Sequence, residues 1–315
     1  MELPREYQLR MQRLLGEEYP AYRDSLAEER VRSLRVNTAK ISAEELARRL
    51  PFLDGGVAWC PEGYYIKENR DFPEKEREAA VANPARHPYY AAGLYYLQEA
   101  SAMAPGAILP VEPGDRVLDL CGAPGGKSTQ LGARLCGSGL LVANDLSASR
   151  AQAMVKNLEL FGIANCMVTA ESPEKLAAAY PEAFHKILVD APCSGEGMFR
   201  RDPSLIRDWE RRGPSYYQGV QRQILEQAVQ MLRPGGLLLY STCTFSPEED
   251  EENIRWLLER FPELSLATPE PAHGISPGQM PGKMCIRDSS SPSKVKPRDN
   301  AIPPTAITRN DGFSL

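Results

Sequence analysis

No run of apolar residues in the chain is long enough to span a bilayer. The N-terminus, Met-Glu-Leu-Pro-Arg-Glu, is charged from its second residue and lacks the apolar core of a signal peptide. A cytoplasmic protein without membrane contact is therefore expected. None of the seven cysteines forms a Cys-x-x-Cys pair, and their number is odd, so neither a zinc knuckle nor a disulfide framework is implied and no metal is expected. Basic excess is missing too. The 37 Lys and Arg against 42 Asp and Glu leave a net charge of −5, which speaks against a generic nucleic-acid coat. Local clusters at Arg30, Arg32 and Arg35, at Arg200 with Arg201, and at Arg211 with Arg212 still allow a basic groove on an acidic protein.

Two nucleotide signatures are absent as well. A P-loop needs four residues between its glycine and Gly-Lys-Ser, and Gly122-Ala-Pro-Gly-Gly-Lys-Ser is too short. The Gly-x-Gly-x-x-Gly fingerprint fails because Ala123 and Pro124 stand in the wrong places, which disfavours a dinucleotide oxidoreductase. What is there is a buried strand at Val117, Leu118 and Leu120, a turn from Gly122 to Gly126, and a helix opening at Lys127. Such a break leaves free backbone N–H groups around the helix start and makes a small-molecule cradle for a ligand without pyrophosphate.

From Gly114 the chain alternates strand and helix, with strands expected at 116–120, 139–144, 166–169, 186–190 and 236–241. Short apolar strands covered on both faces fit a doubly wound parallel sheet, whose ligands sit at the carboxyl ends of the strands. Asp145 ends the second strand, where a carboxylate can accept both ribose hydroxyls of an adenosyl group; capping the next helix is its alternative role. Upstream, residues 1–88 read as a small α+β module and linker, with a capping box at Ser42-Ala-Glu-Glu45 and a charged, proline-punctuated stretch from Phe72 to Pro88. The tyrosines of His87–Ser101 are expected to pack, as are Trp209 and Gln221. Residues 89–272 form the sheet domain, and 273–315 read as a Ser-, Pro- and Arg-rich disordered tail.

Three separated motifs carry a family resemblance. Asp119 to Lys127, Asp190-Ala-Pro-Cys-Ser-Gly195 and Ser241-Thr-Cys-Thr-Phe-Ser246 resemble the S-adenosylmethionine-dependent RNA cytosine-5 methyltransferases, in particular the bacterial ribosomal RsmB/RsmF-type branch, over about Leu34 to Pro271. The resemblance implies a Rossmann-like methyltransferase sheet, S-adenosyl-L-methionine as cofactor, and structured RNA, ribosomal before transfer RNA, as the partner of a monomer. It implies cofactor contacts at Cys121, Gly122, Ala123, Pro124, Gly125, Gly126 and Lys127, with Asp145, Glu171 and Asp190. It makes Cys243 the nucleophile, Cys193 the aid to product release, and Asp190 the group that holds the cytosine ring. Cytosine C5 is a poor nucleophile, so prior addition of a thiolate to C6 is the chemistry that needs a cysteine here.

The N-terminal module of the family helps to grip RNA, so the resemblance implies RNA contacts at Arg35 and Asn37, with edge-strand polar residues that bind no ligand as the alternative; Arg200 and Arg201 are phosphate candidates beside an extruded base. Ser246, Pro247 and Glu249 read as the cap of a following helix, which would explain the acidic run without a partner. The family's closing strand pair is expected to be missing beyond Gly282. An RNA-binding protein that keeps the cradle without turnover therefore stays open as the alternative.

Overall fold

The computed structural model describes residues 2–28, 30–67, 83–267, 276–277, 286–287 and 305–309. The N-terminal unit contains α1 (Arg5–Leu15), α2 (Tyr19–Ser25), β1 (Arg32–Val36), α3 (Ala43–Arg49), β2 (Leu53–Val57), β3 (Cys60–Ile66), α4 (Pro88–Ala91) and β4 (Tyr95–Leu97). Ser42 caps α3 by accepting from the Glu45 N–H at 3.2 Å, as its capping box predicts. The four strands form an antiparallel sheet in the order β2-β3-β1-β4. Leu34, Val36, Leu46, Leu50 and Tyr95 bury their side chains between this sheet and α3, so Tyr95 packs as expected.

Because β4 pairs with β1, residues up to Leu97 belong to the N-terminal sheet, and the boundary moves from 88 to just after that strand. The linker expected at Phe72–Pro88 lies mostly outside the described residues. Helix α1 turns away from its own sheet. Tyr7 and Met11 instead join Phe199 and Trp209 in a cluster with the sheet domain.

The second unit runs α5 (Ala100–Ile108), β5 (Arg116–Asp119), α6 (Gly126–Arg134), β6 (Leu140–Asn144), α7 (Ala148–Phe161), β7 (Cys166–Thr169), α8 (Pro173–Ala179), β8 (Phe184–Asp190), α9 (Ser204–Met231, kinked at Gly213), β9 (Leu232–Ser241), α10 (Glu251–Arg260) and β10 (Leu264–Ala267). Short strands β11 (Ser276–Pro277) and β12 (Ile286–Arg287) pair with each other, and β13 (Thr305–Arg309) follows. The seven-stranded order is β10-β13-β9-β8-β5-β6-β7, parallel from β9 to β7 and antiparallel at β13. Neighbouring residues alternate between two cores: Leu118, Val142 and Ile187 face one side, and Val117, Leu141 and Leu188 the other. Both faces are covered, which is why these strands read as unbroken apolar runs.

The expected loss of the closing strand pair is corrected. Strand β13 pairs Thr305 with Tyr240 and Ala306 with Leu239, and β10 pairs with β13. Ala306 and Ile307 enter the core. Five residues, Thr-Ala-Ile-Thr-Arg, suffice for a strand between β10 and β9, and their polar flanks hid them in the sequence. The disorder expected of the rest of residues 273–315 lies outside the described residues. Among the described residues, no helix is long and apolar enough to cross a membrane.

Candidate functional site

Strand β5 ends at Asp119, and the chain then folds tightly back toward α6. The Gly122 N–H donates to the Asn144 carbonyl at 2.7 Å and the Gly125 N–H to the Gly122 carbonyl at 2.7 Å. Gly125 has φ of 107°, a left-handed backbone that a side chain would strain. A Cβ on Gly122 would stand 2.9 Å from Asp119 Oδ2. Helix α7 pins the turn from outside: Arg150 donates to the Ala123 carbonyl at 3.0 Å and Asn157 to the Pro124 carbonyl at 2.7 Å. Asp119 is fully buried, and Ser128 donates to its Oδ2 at 2.6 Å. Its Oδ1 has no partner. Burial pushes this carboxyl up to about 7.

Strands β8 and β9 are parallel neighbours with Asp190 opposite Ser241, so the segments that leave them start side by side. Asp190 Oδ1 accepts from the Ser241 hydroxyl at 2.8 Å, and its Oδ2 meets Lys127 Nζ at 2.6 Å. Burial opposes the charge on Lys127, but Asp190 outweighs it and raises the ammonium above its ordinary range. Three residues beyond Asp190 and two beyond Ser241, the Cys193 and Cys243 sulfurs lie 3.2 Å apart, and both thiols are free. The hydrogen bond to Cys243, reinforced by burial, raises the Cys193 thiol well above its ordinary value.

The cleft above these strand ends has two compartments. One, of about 340 Å³, is lined by Cys243, Phe245, Met198, Arg200 and, from α2, Tyr22. The other, of about 440 Å³, follows the cradle along Asp119, Cys121, Gly122, Ala123 and Pro124, with Tyr96 and Gln98 opposite. Lys127 and Asp190 line both, so the compartments meet at that ion pair. Cys193 lines neither and reaches the first through Cys243.

Several expected site residues stand elsewhere. Arg35 and Asn37, expected as RNA contacts, are both buried. Arg35 donates to Gln98 Oε1 at 2.9 Å, the Gly126 carbonyl at 2.7 Å and Thr129 Oγ1 at 2.8 Å; Asn37 donates to the Gly93 and Phe161 carbonyls. An Arg-x-Asn pattern on a strand shows which side chains are polar but not which face the neighbouring domain covers. Asp145 is buried, accepts from the Ser147 N–H at 2.9 Å, and pairs with Arg150 at 3.2 Å. Glu171 pairs with Lys175 on the surface. Neither carboxylate lines a compartment. Arg200 donates to the Ser25 carbonyl at 3.0 Å, and Arg201 approaches Glu99 at 3.6 Å.

The expected helix cap at Ser246 is corrected as well. Helix α10 starts at Glu251, and a turn occupies 247–250. The Glu249 carboxylate reaches Ser194 and Gln221 instead of the Ser246 backbone. Sequence reasoning missed Glu249, Ser194 and Asp119 as site residues. Only Asp119 carried a signal, as the carboxylate that opens the glycine motif. Trp209 and Gln221 are buried as expected, and each also donates a hydrogen bond, to Glu196 and Glu249 respectively. Among the described residues no group of His, Cys, Asp and Glu is placed to hold a metal.

A parallel sheet in this order, with a glycine turn after its central strand and a two-part cleft over its strand ends, defines a Rossmann-like methyltransferase fold. A methyltransferase homolog protein from Pyrococcus horikoshii shares it at a TM-score of 0.69 and 32% identity, over 82% of this chain and 79% of that one. NSun6 from the same organism, at 22% identity and a TM-score of 0.78 over 98% and 99% of the two chains, shares the fold. Residues 106–288 match the family described as 16S rRNA methyltransferase RsmB/F, and residues 3–100 match the N-terminal domain of 16S rRNA methyltransferase RsmF. The chain belongs to the RsmB/F family. It is 40% identical over 237 residues to the ribosomal RNA small subunit methyltransferase F of Cronobacter sakazakii, and equally to that of Escherichia coli O139:H28, covering 74% of this chain and 48% of each relative. The chain thus spans about half the length of these relatives.

Proposed function

We propose that the chain methylates cytosine C5 in structured RNA, ribosomal RNA before transfer RNA, with S-adenosylmethionine as the methyl donor. The observation that carries this is the pair of free thiols 3.2 Å apart, with Cys243 lining one compartment and the glycine turn lining the next. When bound, the donor supplies a methyl group on a sulfonium. The residues present fit it: the unpaired, buried Asp119 Oδ1 suits the ammonium of its amino-acid end, and Gly122 and Gly126 of the turn line the compartment beside it. Asp145 can accept ribose hydroxyls once the exposed Arg150 swings away from it.

In the other compartment the Cys243 thiolate adds to C6, and C5 becomes an enamine-like carbon that takes the methyl group. While Cys243 carries the charge, Cys193 keeps its proton and donates to it. Once Cys243 is bound to carbon, Cys193 beside it can pass its own proton to solvent and take the C5 proton, whose bonding pair re-forms the C5–C6 double bond as the C6–S bond breaks and Cys243 leaves as a thiolate. Asp190, fixed by Ser241 and Lys127, retains lone pairs to hold a protonated ring nitrogen. The non-catalytic alternative rested on absent closing strands, and β10 with β13 removes that ground.

The test is tritium transfer from methyl-labelled cofactor into RNA, mapped to the modified atom. Label on cytosine C5, its loss in Cys243→Ala, and a trapped protein–RNA adduct in Cys193→Ala are the expected results. Label on any other atom overturns the assignment.

A further inference from the structure

The run Ser246-Pro-Glu-Glu-Asp-Glu-Glu-Asn253 is too acidic to be buried cheaply, yet Glu249 is completely buried. Three donors converge on its carboxylate. The Ser194 N–H reaches Oε2 at 2.9 Å, Gln221 Nε2 reaches the same oxygen at 2.9 Å, and the Ser194 hydroxyl donates to Oε1. The Ser194 hydroxyl also meets Thr244 Oγ1 at 2.8 Å. Ser194 follows Cys193 directly, and Thr244 follows Cys243. Glu249 therefore holds the Cys193 segment directly and reaches the Cys243 segment through Ser194 and Thr244. Gln221 extends the tie by donating to the Pro192 carbonyl at 2.9 Å.

We propose that Glu249 is the positioning residue of the thiol pair, a buried clasp that sets the spacing of Cys193 and Cys243 through Ser194 and Thr244. The two segments also touch through the Gly197 N–H to the Cys243 carbonyl at 2.9 Å, but Glu249 fixes Ser194, the residue next to Cys193 that meets Thr244. The Glu249 backbone carbonyl is fixed as well, accepting from the Tyr240 hydroxyl at 2.7 Å and from Asn253 at 2.9 Å, so the carboxylate has little room to drift. Release of the methylated base requires Cys193 to act where Cys243 is bonded. A misplacement of about 1 Å in such a pair is enough to cost on the order of 100-fold. The catalytic half of this inference rests on the adduct chemistry proposed above; the geometric half does not.

The experiment uses the full chain with Glu249→Ala, Glu249→Gln and Thr244→Val. Spacing is read without RNA by the rate at which diamide closes the Cys193–Cys243 disulfide. The two thiols lose two protons and two electrons to the azo reagent, which becomes its hydrazine, and linked peptides are identified by mass. Glu249→Ala is expected to slow closure ~10-fold or more, with Glu249→Gln in between because it keeps one acceptor. Thr244→Val, which removes a single hydroxyl at constant shape, is expected to slow it about 3-fold. With RNA and cofactor, the same variants should hold a larger fraction of protein as covalent adduct per turnover, which a merely destabilised fold would not do. Wild-type closure rates in folded Glu249 variants overturn the proposal, and so does a wild-type rate in Thr244→Val if the Glu249 variants fail to fold. Altered closure in a protein that never methylates cytosine supports the clasp and overturns only the adduct chemistry.

Discussion

The molecule buries polar side chains along two seams, and Arg35 and Asn37 at one are held on other terms than the groups at the other. At the seam between the two sheets, Arg35 spends its donors on fixed acceptors and Asn37 bridges two carbonyls. At the strand ends of β5, β8 and β9, atoms keep capacity in reserve: Asp119 Oδ1 has no partner, and two thiols have chiefly each other. Saturated polar groups hold domains together, whereas groups with spare capacity are available to a ligand. Both seams look alike in sequence, as charged or polar residues set among apolar ones.

The largest effect that separates them is on turnover. Cys243→Ala should reduce methyl transfer by on the order of 10⁴-fold or more, as loss of a nucleophile does, while leaving the unfolding midpoint unchanged because the residue is exposed. Activity that survives this change would make the thiol pair structural and erase the distinction.

Arg35→Met should do the reverse. It leaves Gln98 Oε1, the Gly126 carbonyl and Thr129 without their donor, at a cost of about 3 kcal/mol or more in urea unfolding. RNA affinity of the folded fraction should not change. A selective loss of RNA binding at full stability would return Arg35 to the role its motif first implied.

Most of the sheet domain was legible because its strands are buried on both faces and its motifs fall at strand ends. The N-terminal strand–helix alternation was legible for a similar reason, with Ser42 capping its helix as read. What stayed hidden depended on tertiary neighbours. Arg35 and Asn37 look exposed until a second domain covers β1, β13 is too short to stand out of a polar tail, and Glu249 satisfies a local capping rule that a stronger long-range partner overrides.

A smaller effect concerns pH. Burial raises the folded-state Asp119 carboxyl to about 7, whereas the unfolded chain titrates near 3.8. Between those values the folded protein holds a proton that the unfolded chain has released, so stability falls as pH rises through the window. Asp119→Asn removes that proton and should flatten the decline by at most about 1.4 kcal/mol per pH unit. Glu249, raised in the same direction to about 7, leaves a parallel slope in the variant. An unchanged profile would mean that Asp119 is ionised throughout and its free oxygen is satisfied by solvent.

Arg201 provides the smallest and most discriminating contrast with Arg35. Its side chain is 56% exposed, lies 3.6 Å from Glu99, and lines both compartments; Glu99 also approaches Arg30 at 3.9 Å. Such exposed pairs contribute at most about 1 kcal/mol, so a phosphate can take the place of Glu99 without disturbing the fold. Arg201→Ala should weaken RNA binding to all sequences alike and reduce the salt dependence of log K by about one phosphate contact, with stability within about 0.5 kcal/mol of the parent. Filter binding across a salt series, set beside urea unfolding, measures both. If Arg201→Ala costs stability and leaves RNA binding intact, this arginine belongs with Arg35, and the basic wall of the cleft must be sought at Arg30 and Arg200.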